Sequence, residues 1–498
     1  MRFLHYGLLA FAVVATGCAG DDGMDGADGA DGTNGTNGLD GAPGAVGPTG
    51  ANGTTGQNSL ISQTQVTAGV DCAFGGVRLD SGIDLNGNGI LDVDEIDSTS
   101  FVCAPPSAFT LQLLHFADID GNEATALDAV AEFSALVDAF RNDVALSNNT
   151  LVVSSGDNII PGPRYFAAES SAVRALTGSN EPGHVDHFFM NAFGVSASAL
   201  GNHDLDQGPG NLADSIVSES SGDVTFPGTR FPYLAANVDF SMDEDIFFDA
   251  DDDEDDVNLI GENGSDVGDL GGKFAGSAVV EVGGETIGLV GVATPELDTI
   301  TSLGDLEVFG SLSTISDLAA EIQPEITELT DLGIDKIIVL AHLQQIEFEK
   351  ALALELDGVD IIVAGGSNTR QGDGNDTLFP GDGPFDEAYP FETADINGDP
   401  VLIVNVDGDY KYLGRLVVSF DRDGVIIPTS VQEVVSGTYA STPENVAAVR
   451  GTPIPEVVEL RDVVQGEITE QFENLVGHTD VYLEGRRAKV RTEETNLG

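Results

Sequence analysis

From Phe109 to about Ala440 one pattern governs the chain: short, apolar, β-branched runs, several of which stop at a residue able to bind a metal ion or a phosphate. The runs cover 109–116, 150–154, 286–292, 336–340, 359–363 and 401–404. Helix-period segments at 126–140 and 314–332 lie between some of them. This alternation predicts an α/β fold, and in such folds the functional residues sit on the loops that follow the strands.

Four of those loops carry polar clusters. Asp118-Ile119-Asp120 follows the first run and Gly156-Asp157-Asn158 the second; Gly201-Asn202-His203-Asp204 and Ala341-His342 come later. Carboxylates, an amide oxygen and imidazoles brought to one sheet end can hold two cations, position a water and neutralise charge developing on a phosphoryl group. His115, His184 and His187, outside these loops, read as packing or surface residues.

With these residues in view, the chain resembles the calcineurin-like metallophosphoesterases, in particular their 5'-nucleotidase branch. Leu113-Leu-His-Phe-Ala-Asp118, Ser155-Gly-Asp157 and Ala199-Leu-Gly-Asn-His-Asp204 are similar to the family's first three motifs. Phe231-Pro-Tyr-Leu-Ala-Ala-Asn237 and the 289–295 segment are similar to further segments of the branch. The resemblance implies a sandwich of two β-sheets flanked by helices over 107–440. It also implies that Asp157 bridges two metals, that Asn202 and His342 hold one of them, and that Asp118 holds the other. His203 would contact phosphate or protonate the leaving oxygen, with Asp204 orienting its ring. Two departures stand out. Asp120 replaces the histidine of the first motif, and Gly366 and Asn368 replace the two histidines of the last. A centre so rich in oxygen and one ligand short favours Mn²⁺, Mg²⁺ or Ca²⁺ over Zn²⁺.

The amino end predicts export. Arg2, an apolar run over 7–15 and Thr16-Gly17-Cys18 form a signal peptide (1–18) resembling a lipoprotein box, with Cys18 as the lipidated residue. This predicts a lipid anchor in the cell envelope, at the outer membrane of a Gram-negative bacterium, or a secreted protein. A glycine at every third position follows through 19–57, the spacing of a collagen triple helix, which offers a trimer or else a flexible spacer. Residues 58–106 read as a small module stapled by Cys72 and Cys103, the pair left once Cys18 carries lipid. Within it Asp84, Asn86, Asn88, the carbonyl of Ile90, Asp92 and Glu95 occupy the ligand positions of an EF-hand-like loop, with Gly89 at the sharp turn, which predicts a structural Ca²⁺.

Charge narrows the partners. With 84 Asp and Glu against 19 Lys and Arg, the formal net charge is −65. That excludes a general nucleic-acid surface, which needs clustered cations, and suits a medium rich in salt or divalent ions, whose counterions relieve self-repulsion. Residues 441–484 read as a linker, and 485–498 resemble the first strand of the 5'-nucleotidase C-terminal domain, so the sequence reads as a fragment or as a chain that has lost that domain. The expected function is metal-dependent hydrolysis of phosphate esters, nucleotides above all. The alternatives are a broad alkaline phosphatase or phosphodiesterase, and a non-catalytic surface protein.

Overall fold

The computed structural model describes residues 58–66, 72, 76–103, 109–119, 123–247 and 258–473. Cys18, the Gly-X-Y run, Asp120 and the expected strand at 485–498 lie outside them. The described chain opens with an antiparallel sheet of β1 (Asn58–Val66), β2 (Gly76–Asp84) and β3 (Ile96–Cys103). The expected disulfide joins Cys72 to Cys103, Cα–Cα 5.1 Å.

Two larger sheets follow. In the first, β4 (Phe109–Phe116), β5 (Thr150–Ser154) and β6 (Ala197–Ala199) run parallel, and Tyr412–Phe420 pairs antiparallel with β4. In the second, the strands Glu285–Ala293, Ile337–His342, Ile361–Gly365 and Pro400–Val404 run parallel in that order. The apolar runs are continuous because both faces of these strands are buried. Alternate side chains serve different layers. Leu111, Leu113 and Val153 meet Leu289, Leu340 and Val363 between the sheets. Leu114, Phe116 and Val152 turn instead to the helical layer containing α1 (Glu123–Arg141), and Val290, Val339 and Ile362 turn to the helix Ile315–Asp331 on the far side. The result is the expected sandwich of two sheets between helices, with the carboxyl ends of both parallel sets at one edge.

The stretch expected to be a linker proves otherwise. Pro443–Val449 and Pro455–Glu473 are helices, and Val457, Leu460, Val464 and Ile468 of the second are buried in the helical layer. Their spacing is helical, but the Thr, Pro and Gly residues of 442–455 and a largely charged remainder mask the stripe.

Three histidines outside the polar loops are buried. His115 hydrogen-bonds the Tyr389 hydroxyl and His187 that of Tyr233, while His184 bonds Thr177. Burial holds their imidazoles neutral, with pKa values lowered to about 3 for His115 and His187 and about 4 for His184. A folded pKa below the unfolded value of about 6.5 stabilises the protein above that pH, and the contribution is lost as pH falls toward about 3. His187→Gln removes one such group. Its destabilisation relative to wild type is therefore expected to shrink by about 2 kcal/mol between pH 7 and pH 5, as read from urea unfolding at the two values.

Candidate metal centre

Asp118 follows β4 and Asp157 follows β5, each at φ +53°, a left-handed conformation uncommon outside glycine. Strain of this kind persists where surrounding bonds over-determine it. The backbone N–H of Asp118 donates to the Gly156 carbonyl (3.0 Å), and that of Asp409 to the Asp118 carbonyl (3.0 Å). Gly201 comes so close beneath that a Cβ there would stand 2.1 Å from the Asp157 nitrogen. Both carboxylates are thereby turned inward, toward the end of the second sheet.

There they meet His342. Asp118, Asp157 and His342 are buried and offer three ligand atoms within 4.8 Å of one another. Among the described residues this is the one place where three Asp, Glu, His or Cys ligand atoms converge. The His342 Nδ1 sits 2.7 Å from the Ser155 carbonyl, which fixes Nδ1 as the protonated nitrogen of the neutral ring. In that neutral form its Nε2 presents a lone pair 3.1 Å from Asp157 Oδ2. A buried lone pair facing a carboxylate fits a divalent cation between them. In the protein alone, protons do that work. Although burial favours a neutral ring, the Asp157 charge outweighs it and raises the His342 pKa to about 10. Burial, with Asp157 adding to it, lifts Asp118 to about 7.

The remaining expected residues fall around this core. The backbone N–H of His203 donates to Asp157 Oδ1 at 2.8 Å, and Asn202 Oδ1 accepts from the Gln344 amide. Asn368 stands exposed at φ +51° on the loop after Gly366. One expected role is corrected. Asp204 does not reach the His203 ring; it accepts the backbone N–H groups of Asn158 (2.8 Å), Ile159 (3.2 Å) and Gly201 (2.9 Å), tying two loops together. Asp206 bonds His203 Nδ1 at 2.8 Å instead. His203–Leu205 is a 3₁₀ turn, in which residues three apart eclipse, so the partner lies at i+3 rather than i+1. Burial alone would disfavour the charged ring, but the Asp206 bond and the Asp157 charge outweigh it and raise the His203 pKa.

Gln344 is the residue the sequence did not single out. It lies two positions past His342 at φ +71°, and its amide occupies the space before Gly366. A Cβ on Gly366 would stand 2.8 Å from His342 Nε2 and 2.9 Å from Gln344 Nε2. The missing side chain at 366 and the amide at 344 therefore go together. The EF-hand-like loop is closed on its own backbone. Asp84 accepts from Gly87, Asn88 and Gly89, Glu95 accepts from Leu85, Asn86 and Asp92, and the Asn86 and Asn88 amides donate to Asp92.

Residues 58–103 match a domain family of unknown function, DUF7151, and residues 15–63 match the collagen triple helix repeat. A mouse 5'-nucleotidase is 28% identical over 79% of this chain and 58% of its own length, and a human 5'-nucleotidase is 27% identical over 70% and 50%. The chain thus spans about half the length of the curated relatives it matches. A 5'-nucleotidase precursor from Thermus thermophilus superposes with a TM-score of 0.54 at 27% identity, covering 78% of this chain and 65% of that one. The strand–loop order that carries Asp118, Asp157, Asn202 and His342 to one sheet edge thus belongs to a chain that is similar in sequence and fold to 5'-nucleotidases and that matches a collagen triple helix repeat near its amino end.

Proposed function

We propose that the chain hydrolyses phosphate monoesters, nucleotides in particular, outside the cytoplasm, with Asp118, Asp157, Asn202 and His342 holding divalent metal. The observation that carries this is the buried Asp118–Asp157–His342 cluster, in which His342 Nε2 faces Asp157 Oδ2 at 3.1 Å. A bound divalent cation supplies Lewis-acid stabilisation of the phosphoryl oxygens and an activated water. His203, held at Nδ1 by Asp206, keeps Nε2 for a substrate oxygen and, with its raised pKa, carries a proton to the leaving group. Asp204 keeps the two ligand loops in register. Three supporting assignments belong to the same proposal: Cys18 as the lipid anchor, Ca²⁺ in the Asp84–Glu95 loop, and Asp120 and Asn368 as further oxygen donors.

Assays with AMP, p-nitrophenyl phosphate and bis-p-nitrophenyl phosphate under Mn²⁺, Mg²⁺, Ca²⁺ and Zn²⁺ test the proposal. Release of phosphate from AMP supports it, cleavage of the diester alone assigns a phosphodiesterase, and no turnover with any metal defeats it. Gln344 gives a sharper check. Half a turn of its terminal amide exchanges Nε2 for Oε1, so an oxygen can stand beside Asn202 where Gly366 offers none. Gln344→Ala is expected to weaken Mn²⁺ binding about ten- to hundredfold in isothermal titration; an unchanged dissociation constant would remove Gln344 from the metal centre.

A further inference from the structure

Three hydroxyl-bearing side chains stand in a row across the first large sheet. Strand register sets Ser154 beside Ser198 and Ser198 beside Tyr233, so all three leave the sheet on one face, toward the helical layer. They are fully buried, as are Asn158, the residue after Asp157, and His187 of the helix His184–Phe193. Five polar side chains in a core cost stability unless each is hydrogen-bonded. Each finds its partners. His187 Nδ1 faces the Ser215 carbonyl at 3.2 Å and its Nε2 faces the Tyr233 hydroxyl at 2.8 Å. The Asn158 amide nitrogen donates to Tyr233 (3.2 Å) and to Ser198 (2.9 Å). Ser198 in turn donates to the Ala199 carbonyl (2.9 Å), and Ser154 donates to Asn158 Oδ1 (2.7 Å).

A carbonyl can only accept, so Ser215 sets the direction of every proton in this chain of bonds. It requires the proton of the neutral His187 ring at Nδ1, which leaves Nε2 to accept from the Tyr233 hydroxyl. With its own proton spent on His187, the Tyr233 oxygen accepts from Asn158, and the Asn158 amide is left with one orientation. The backbone of Asn158 belongs to the metal centre. Its N–H donates to Asp204 at 2.8 Å, and Asp157, one residue earlier, holds the left-handed turn at φ +53°. Ser154 also takes the Gly156 N–H at 3.3 Å. Apolar side chains of the same shape could fill this core at little cost in stability; what a fully satisfied polar chain adds is a unique position for its members. We infer that Tyr233 is a positioning residue of the metal centre: backed by His187, its hydroxyl fixes Asn158 and, through it, the turn that aims Asp157. The inference rests on the proposed role of Asp157 as a metal ligand, and its test is read in metal binding and in the metal-free protein rather than in turnover.

Tyr233→Phe keeps the ring among Phe231 and Phe274 and removes the hydroxyl alone. Isothermal titration of the chelator-stripped full chain with Mn²⁺ is expected to give a dissociation constant about tenfold higher, the low end of what a supporting partner contributes. Hydrogen exchange in the metal-free variant is expected to be faster at Asn158 and Ile159, the neighbouring amides that Asp204 holds. His187→Gln, whose amide oxygen can accept where Nε2 now does, should leave both readings as in wild type. His187→Leu combined with Tyr233→Phe removes donor and acceptor together. It is expected to recover stability to urea lost in Tyr233→Phe while the dissociation constant stays raised, which separates position from stability. A Tyr233→Phe constant equal to that of wild type, unchanged exchange at 158 and 159, or a constant that recovers in the double variant would each overturn the inference. A wild type that binds Mn²⁺ yet releases no phosphate from AMP would defeat the hydrolase reading alone, with the Tyr233→Phe constant still deciding this one; a wild type that binds no Mn²⁺ overturns both.

Discussion

Asp157→Asn is expected to lower kcat/KM for AMP by about a thousandfold or more while leaving the fold intact. The substitution is nearly isosteric, and asparagine tolerates the φ +53° of this position better than most residues. Its amide oxygen can still accept the His203 N–H that now donates to Oδ1. What disappears is the charge at Oδ2, the atom 3.1 Å from His342 Nε2. Metal-centred stabilisation of a phosphoryl transition state is worth several kcal/mol, and each ~1.4 kcal/mol is a factor of ten in rate. Steady-state kinetics at saturating Mn²⁺ give the loss, and thermal melts show whether the fold survives. A loss below tenfold would place the chemistry elsewhere.

Arg164→Met is expected to cost about 3–5 kcal/mol of stability, the usual penalty for breaking a buried ion pair by removing one partner. Arg164 is among the largest fully buried side chains; its Nε pairs with Asp186 at 3.0 Å, and both are buried. Asp186 also takes the Tyr410 hydroxyl at 2.8 Å, and methionine would deprive its buried carboxylate of the Arg164 cation. A second consequence reaches the metal centre. Arg164 donates to the Ile119 carbonyl at 2.7 Å, next to Asp118, so the variant should bind Mn²⁺ more weakly even below its melting temperature. Denaturant unfolding measures the first effect and titration calorimetry the second. A stability change under 1 kcal/mol would show that the pair carries little of the fold.

The layered fold was legible because its strands are buried on both faces. The 109–116 and 150–154 runs coincide with β4 and β5, and the others differ from observed strands by a few residues at their ends. The site was legible to the extent that its residues stand at strand ends: Asp118, Asp157 and His342 converge as their placement implied. What escaped were relations that sequence distance hides. Asp206 supports His203 because a 3₁₀ turn places i+3 in line, and Asp204, the nearer acid, turns inward to backbone amides. Gln344 and Gly366 are far apart in the chain and adjacent in space, so nothing local linked a missing ligand to the amide beside it. The helix at 455–473 was hidden by a stripe only one residue wide on a charged background.

The most direct test of the metal centre is phosphate release from AMP by chelator-stripped protein as divalent metal is returned. Activity that is absent after stripping and restored by Mn²⁺ or Mg²⁺, with the same titration flat in Asp157→Asn, is the predicted result. Turnover that persists without metal, or a wild-type titration as flat as that of the variant, would contradict the account.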